Sequence, residues 1–199
     1  MILAVAIVVS VVIALLEGGE FSALADVPLR YGGLAVAAFA VQVFFIYQTP
    51  SQIGVGVWHW HALLLVGSCL LLMATVWVNR HSRGVKLIGL GLLLNLIVMV
   101  ANGGWMPVTP EAVIRAGHTD LVPSLASGMR IYSSKDIILL REETRLWVLS
   151  DVLVVPRPFP VPSVFSIGDV LVALGTFVFI RSGMLWHGCS GTNSAQRSE

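Results

Sequence analysis

Asp169 is an ionisable side chain inside an apolar run, Ser163 to Ile180, and it is the first chemistry the chain offers. A charged group near the centre of a membrane helix costs at least roughly 2.5 kcal/mol, so such a carboxylate must be paired, protonated or close to the headgroups. Counted from Ser163, Asp169 falls about two turns into a helix. One reading makes it a proton-active or ligand-binding acid facing the bundle, its pKa raised by desolvation. The other makes it a structural acid hydrogen-bonded to the turn at 102–106 or to a neighbouring helix. The structural reading carries more weight, because a buried acid needs a partner either way. Ser166 and Gly168, just before it, permit close helix approach.

Other candidates are weaker singly. Asn102, Gly103 and Gly104 read as a helix end and tight turn in which Asn or Gly takes a positive φ, and consecutive amides there could also form an anion nest. Asp151 could form an acid/base pair with Asp169, although nothing in the chain's order brings them together. The string Trp58-His59-Trp60-His61 suits an interfacial belt. For a metal, histidines two apart point to different helix faces, so no metal or other cofactor is expected. Gln42 and Asn95, inside apolar runs, read as polar glue between helices, and with Glu17 and Glu20 they make no ladder across a membrane. There is no GxSxG elbow and no P-loop, so an enzyme is not indicated.

The elements that must position these groups are set by composition. At 56% hydrophobic and 12% charged residues, with a mean hydropathy of +0.86, water is not the main solvent. A net charge of +1 and the lack of a basic stripe set nucleic acid aside. Spans of hydrocarbon length are expected at Met1 to Leu16, Leu29 to Tyr47, Val57 to Val78, Leu87 to Val100 and Ser163 to Ile180. Arg80, Arg83 and Lys86 mark one short loop as cytoplasmic, which carries Arg30 and Arg181 to the same side and sends the N-terminus outside. A cleavable signal peptide ending near Ala23-Leu24-Ala25 is disfavoured, because no basic residue precedes Arg30.

The stretch from 102 to 162 is of different character, mixed in polarity and rich in the acidic residues. Thr109-Pro110-Glu111 reads as a helix N-cap, first position and first-turn acid, with Gly117 as the stop. The run Asp136 to Leu140 suits a strand or buried turn. Leu146, Trp147, Leu149, Val152 and Leu153 suit a helix lying on the membrane face, and the prolines from 156 to 162 an extended spacer.

Asn102-Gly103-Gly104-Trp105-Met106-Pro107, Leu146-Trp147-Val148-Leu149-Ser150-Asp151 and Phe165-Ser166-Ile167-Gly168-Asp169 together resemble a domain-of-unknown-function family of small bacterial multi-pass membrane proteins. The resemblance covers nearly all of the chain except its polar tail. It implies a bacterial membrane protein and supplies no activity.

The expected architecture is therefore an all-α integral membrane protein, a bundle of about five transmembrane helices with a structured extracytoplasmic segment. Residues 1–101 hold four helices, 102–162 the extracytoplasmic amphipathic segment, 163–182 the fifth helix and 183–199 a flexible cytoplasmic tail. The expected role is an accessory or partner-docking subunit, or a lipid-binding protein, of the bacterial plasma membrane, with lipids and a larger membrane complex as partners. The alternative is a membrane enzyme or carrier for a lipid or quinone with Asp169 as its ionisable centre.

Overall fold

The computed structural model describes residues 2–48, 60–117, 126–131, 134–159 and 162–186. Five long helices dominate: α1 (Ile2–Leu16), α2 (Gly32–Gln48), α3 (Trp60–Val78), α4 (Arg83–Ala101) and, after an intervening α/β segment, α6 (Ile167–Met184). Three of them, α3, α4 and α6, are long and apolar enough to cross a membrane; α1 and α2 are shorter apolar helices. Their outward faces carry Val8, Leu34, Phe39, Leu63, Leu70, Leu90 and Leu174, all exposed. Apolar side chains on the outside as well as the inside suit helices solvated by lipid.

The tightest contact is between antiparallel α4 and α6. Gly84 and Gly91 on one helix, Gly168 and Gly175 on the other, recur every seven residues and so share one face. A Cβ on Gly175 would lie 2.6 Å from the Ile88 backbone nitrogen, and one on Gly84 would lie 2.6 Å from that of Phe179. Only hydrogen leaves room for backbones this close. α1 lies along α6, and its end is tied there by Glu20 N–H donating to the Met184 carbonyl (3.0 Å) and by an ion pair of Arg181 with Glu17 (2.7 Å). α2 pairs with α3, the start of one joined to the end of the other through Asn79, whose side chain accepts from Arg30 N–H (2.9 Å) and donates to the Arg30 carbonyl (2.8 Å). Arg30, Arg80, Arg83, Lys86 and Arg181 thus gather at one end of the bundle. Arg83 and Lys86 belong to the first turn of α4 and not to the loop before it, since the helix continues on their apolar stems.

The segment from 102 to 165 caps the opposite end, and here the all-α expectation needs correcting. Four short strands form: β1 (Met106–Val108), β2 (Asp136–Ile138), β3 (Leu153–Val155) and β4 (Ser163–Phe165). β1 and β2 pair in parallel, β3 and β4 antiparallel, with Val108 bridged to Asp151 at the side of β1. These runs are rich in Val, Ile and Phe, and β1, β3 and β4 have Gly or Pro within two residues of an end, which favours extended backbone over helix. The surface helix expected over 146–153 breaks into a single 3-10 turn, Trp147–Leu149, followed by β3. Leu146 takes a left-handed φ of 56° and Ser150 is extended, its hydroxyl donating to the Trp147 carbonyl (2.7 Å), so the helix cannot propagate. Because β3 and β4 pair with each other, Pro156 and Pro162 flank paired strands and not an extended spacer; Pro160 and Val161 lie outside the described residues.

Helix α5 (Pro110–Arg115) forms as its capping signals predict, with the Thr109 side chain accepting from Ala112 N–H (3.3 Å). Two apolar clusters seat the cap. Met106, Ile137 and Leu139 reach down to Ala62 and Leu65 of α3 and Val98 and Met99 of α4, while Val108, Ala112, Val113 and Ile138 form the cap's own core. The tail from 187 onward lies outside the described residues.

Candidate functional site

The polar residues singled out in the sequence converge where α4 ends, α6 begins and the cap sits on both. α6 starts at Ile167 because Ser166 is extended and forms a reciprocal capping box: its hydroxyl accepts from Asp169 N–H (3.0 Å), and the Asp169 carboxylate accepts from Ser166 N–H (3.3 Å). Asp169 is therefore in the first turn, not about two turns in. The error came from counting the strand at 163–165 as helix.

Asn95, nearly four turns into α4 and 7% exposed, bridges the two residues of that box. Its amide nitrogen donates to Asp169 Oδ1 (2.7 Å), and its carbonyl oxygen accepts from the Ser166 hydroxyl (2.8 Å). A side chain on Gly168 would overlap the Asn95 amide. From the cap, Lys135 Nζ reaches the same Asp169 oxygen (3.3 Å). One carboxylate thus joins two helices and the cap.

Asn102 ends α4 and acts as a second clip. Its amide donates to the carbonyls of Val98 (2.8 Å) and Arg145 (2.9 Å), and its oxygen accepts from Arg145 N–H (3.0 Å). This two-way pairing imitates a strand contact and holds the 140s loop to the helix end. Gly103 and Gly104 follow with φ of 76° and 91°, the turn that glycine takes without steric penalty, and Gly104 N–H donates to the Met99 carbonyl (2.7 Å).

Asp151 is 2% exposed and its N–H donates to the Pro107 carbonyl (3.1 Å). Its partner is Asp136, missed in the sequence along with Lys135. The two carboxyls are close enough to hydrogen-bond each other. As carboxylates neither can donate, and Oδ1 of each is buried without a donor, a deficit that protonation of one of the two would remove. Burial pushes the Asp151 carboxyl well above the usual range, the charge of Asp136 adds to this, and Lys135 pulls the other way. Burial likewise raises Asp136 against the pull of Lys135. Burial opposes the charge on Lys135, but Asp169, Asp151 and Asp136 outweigh it and hold its pKa above that of an ordinary lysine. The cluster is an ion pair, Lys135–Asp169, beside two acids, Asp136 and Asp151, that burial shifts toward the protonated form. Among the described residues, no three acids, histidines or cysteines are arranged to hold a metal ion.

The interfacial string is only partly visible. Trp58 and His59 lie outside the described residues. Trp60 is exposed, whereas His61 is buried with its ring stacked 3.6 Å from that of Trp60, so it faces the bundle and not the headgroups. The only advance signal for Lys135 and Asp136 was a pair of opposite charges opening the apolar run Ile137 to Leu140.

With this geometry in hand, the comparisons decide the family. Residues 26–181 match the model of a family of unknown function, DUF5317. The chain belongs to that family. A relative in Thermotoga maritima, described as an uncharacterized protein, is 31% identical over 120 residues, which cover 60% of this chain and 64% of the relative. The chain therefore spans just under two thirds of that relative's length. No solved structure matches.

Proposed function

We propose that this DUF5317 member is a non-catalytic five-helix protein of the bacterial plasma membrane, with α1 and α2 crossing beside the three longer helices. The cap at 102–162 lies outside the cell, the basic end and tail 183–199 in the cytoplasm, and the cap serves as a docking platform for a larger membrane complex or for lipid of the outer leaflet. The observation that carries this reading is the division of labour within the cap. Four polar groups, Asn102, Lys135, Asp136 and Asp151, turn inward, while Leu140, Leu146, Val148 and Phe159 are left 44 to 65% exposed, interspersed with exposed charges such as Arg141, Glu142 and Glu143. Exposed apolar side chains with a polar surround suit a contact surface.

The alternative role for Asp169, as the ionisable centre of an enzyme or carrier, has less support. Asp169 is occupied by Asn95, Lys135 and its own capping box, and neither the 370 Å³ cavity on the cap nor the 570 Å³ cavity at the basic end is lined by it. Isolation from gently solubilised membranes tests the platform reading. The expected result is a co-purifying protein or lipid that is lost when Leu146 and Val148 are both changed to Glu. A chain that always purifies alone, or that keeps its companion in this variant, overturns it.

A further inference from the structure

At the basic end, remote from the cap, the stretch 27–30 that leads into α2, the α3–α4 turn and the end of α6 line a cavity of about 570 Å³. Its wall has two characters. Val27, Val85 and Phe179 line it with apolar groups, and Arg30, Asn79 and His81 with polar ones. Arg30 spends only its backbone on Asn79, leaving the guanidinium exposed, and meets no carboxylate among the described residues. Arg83 and Lys86, on the first turn of α4 beside it, are exposed as well.

Two tryptophans fix the depth. Trp77 is 67% exposed with Arg80 stacked over its ring at 4.4 Å, and Trp186, on the cavity wall, is 69% exposed. Exposed Trp beside Arg at the ends of apolar helices is the pattern of a membrane interface, the level at which lipid phosphates lie. The volume falls within the ordinary range for a small-molecule site, about 300–1,000 Å³.

We propose that this cavity is a binding site for an anionic phospholipid, its phosphate set against Arg30 and His81 and the upper part of an acyl chain against Val85 and Phe179. The proposal rests on the membrane reading above, but not on the cap as a docking platform. Charge complementarity selects the occupant: Arg30 on the cavity wall, with Arg83 and Lys86 near it, meets no acidic partner among the described residues, and cations at headgroup depth attract anionic lipid, each Lys or Arg strengthening binding by about fivefold. The apolar wall explains why a lipid fits better than free phosphate, which would leave that wall wet.

The test is native mass spectrometry of the full chain released from nanodiscs containing equal amounts of phosphatidylglycerol and phosphatidylcholine. Selective retention of phosphatidylglycerol is expected. Arg30→Gln should reduce it by about fivefold, and Ser182→Trp, which fills the cavity from an exposed position without changing charge, should abolish it. Arg115→Gln, on the cap, should leave it unchanged. Equal retention of both lipids overturns the proposal. Retention that survives Ser182→Trp does so too, because attraction would then be diffuse, and so does displacement of the lipid by millimolar inorganic phosphate. Loss of a companion at the cap moves none of these readings, so the two ideas fail separately.

Discussion

The two ends of the bundle handle charge in opposite ways. At the capped end Lys135, Asp136, Asp151 and Asp169 crowd together, partly withdrawn from water, and each is engaged by another member of the cluster. At the basic end Arg30, Arg83 and Lys86 stand exposed and meet no acid among the described residues. Desolvation makes the difference. A charge taken out of water must be matched by a counter-charge or a proton, whereas one left in water or at headgroup level needs neither. The capped end is therefore where single changes damage the fold, and the basic end where they alter what the fold meets.

The sharpest break in that contrast is Asp169→Leu. It removes the acceptor of both Asn95 and Lys135 and leaves the ammonium facing Asp136 and Asp151 only. Breaking a buried pair costs about 3–5 kcal/mol. Lys135 and Asp169 retain 29% and 22% exposure, so a loss of about 2–3 kcal/mol is expected here. Thermal unfolding in detergent measures it. The double change Lys135→Met/Asp169→Leu should recover part of the loss; a double variant as unstable as the sum of the singles would show that the ion pair does not fasten the cap.

How much of this could be read in advance follows from sequence distance. The helices were legible because hydrocarbon-length apolar runs are local patterns, and the shared location of Arg30, Arg181 and the 80–86 hairpin follows from counting crossings. The helix end at Asn102 and the Gly103-Gly104 turn were legible, since both rest on adjacent residues, but the clip of Asn102 to Arg145, 43 residues on, was not. The small strands were not, because three-residue runs carry almost no periodicity and β1 finds β2 some thirty residues away through a parallel crossover. Lys135 and Asp136 were missed for the same reason: they reach Asp151 and Asp169 only once that pairing is made. Asp169 was noticed for its polarity and misplaced by depth, because Ser163, Val164 and Phe165 read equally well as the first turn of a helix.

A moderate effect is expected from the acid pair Asp136 and Asp151. The folded carboxyl of Asp151 lies well above its ordinary value of 3.8, so between those two points the folded chain holds a proton that the unfolded chain has lost. Stability contributed by this group is thus present at low pH and declines as pH rises through the folded pKa; Asp136 is shifted in the same direction. Asp151→Asn mimics the protonated carboxyl with a neutral amide. It should flatten the fall in melting temperature from pH 4.5 to 8 and raise stability at the alkaline end. A variant with the wild-type pH profile would mean that the pair holds no proton in the fold.

The smallest effect on stability belongs to the other end. Arg83→Gln changes an exposed side chain with no acidic partner among the described residues, and surface substitutions of this kind stay within about 0.5 kcal/mol. Its consequence lies in orientation, since the proposed cytoplasmic side is marked by few positive charges and each one removed weakens the bias. A cysteine placed at Ser82 reports this directly. In intact cells it should resist a membrane-impermeant maleimide, and combining it with Arg83→Gln and Lys86→Gln should raise the labelled fraction while the purified protein melts as before. Labelling of the otherwise unaltered chain from outside would invert the arrangement and put the cap in the cytoplasm. A large drop in melting temperature would instead place Arg83 among the fastened charges and erase the contrast between the two ends.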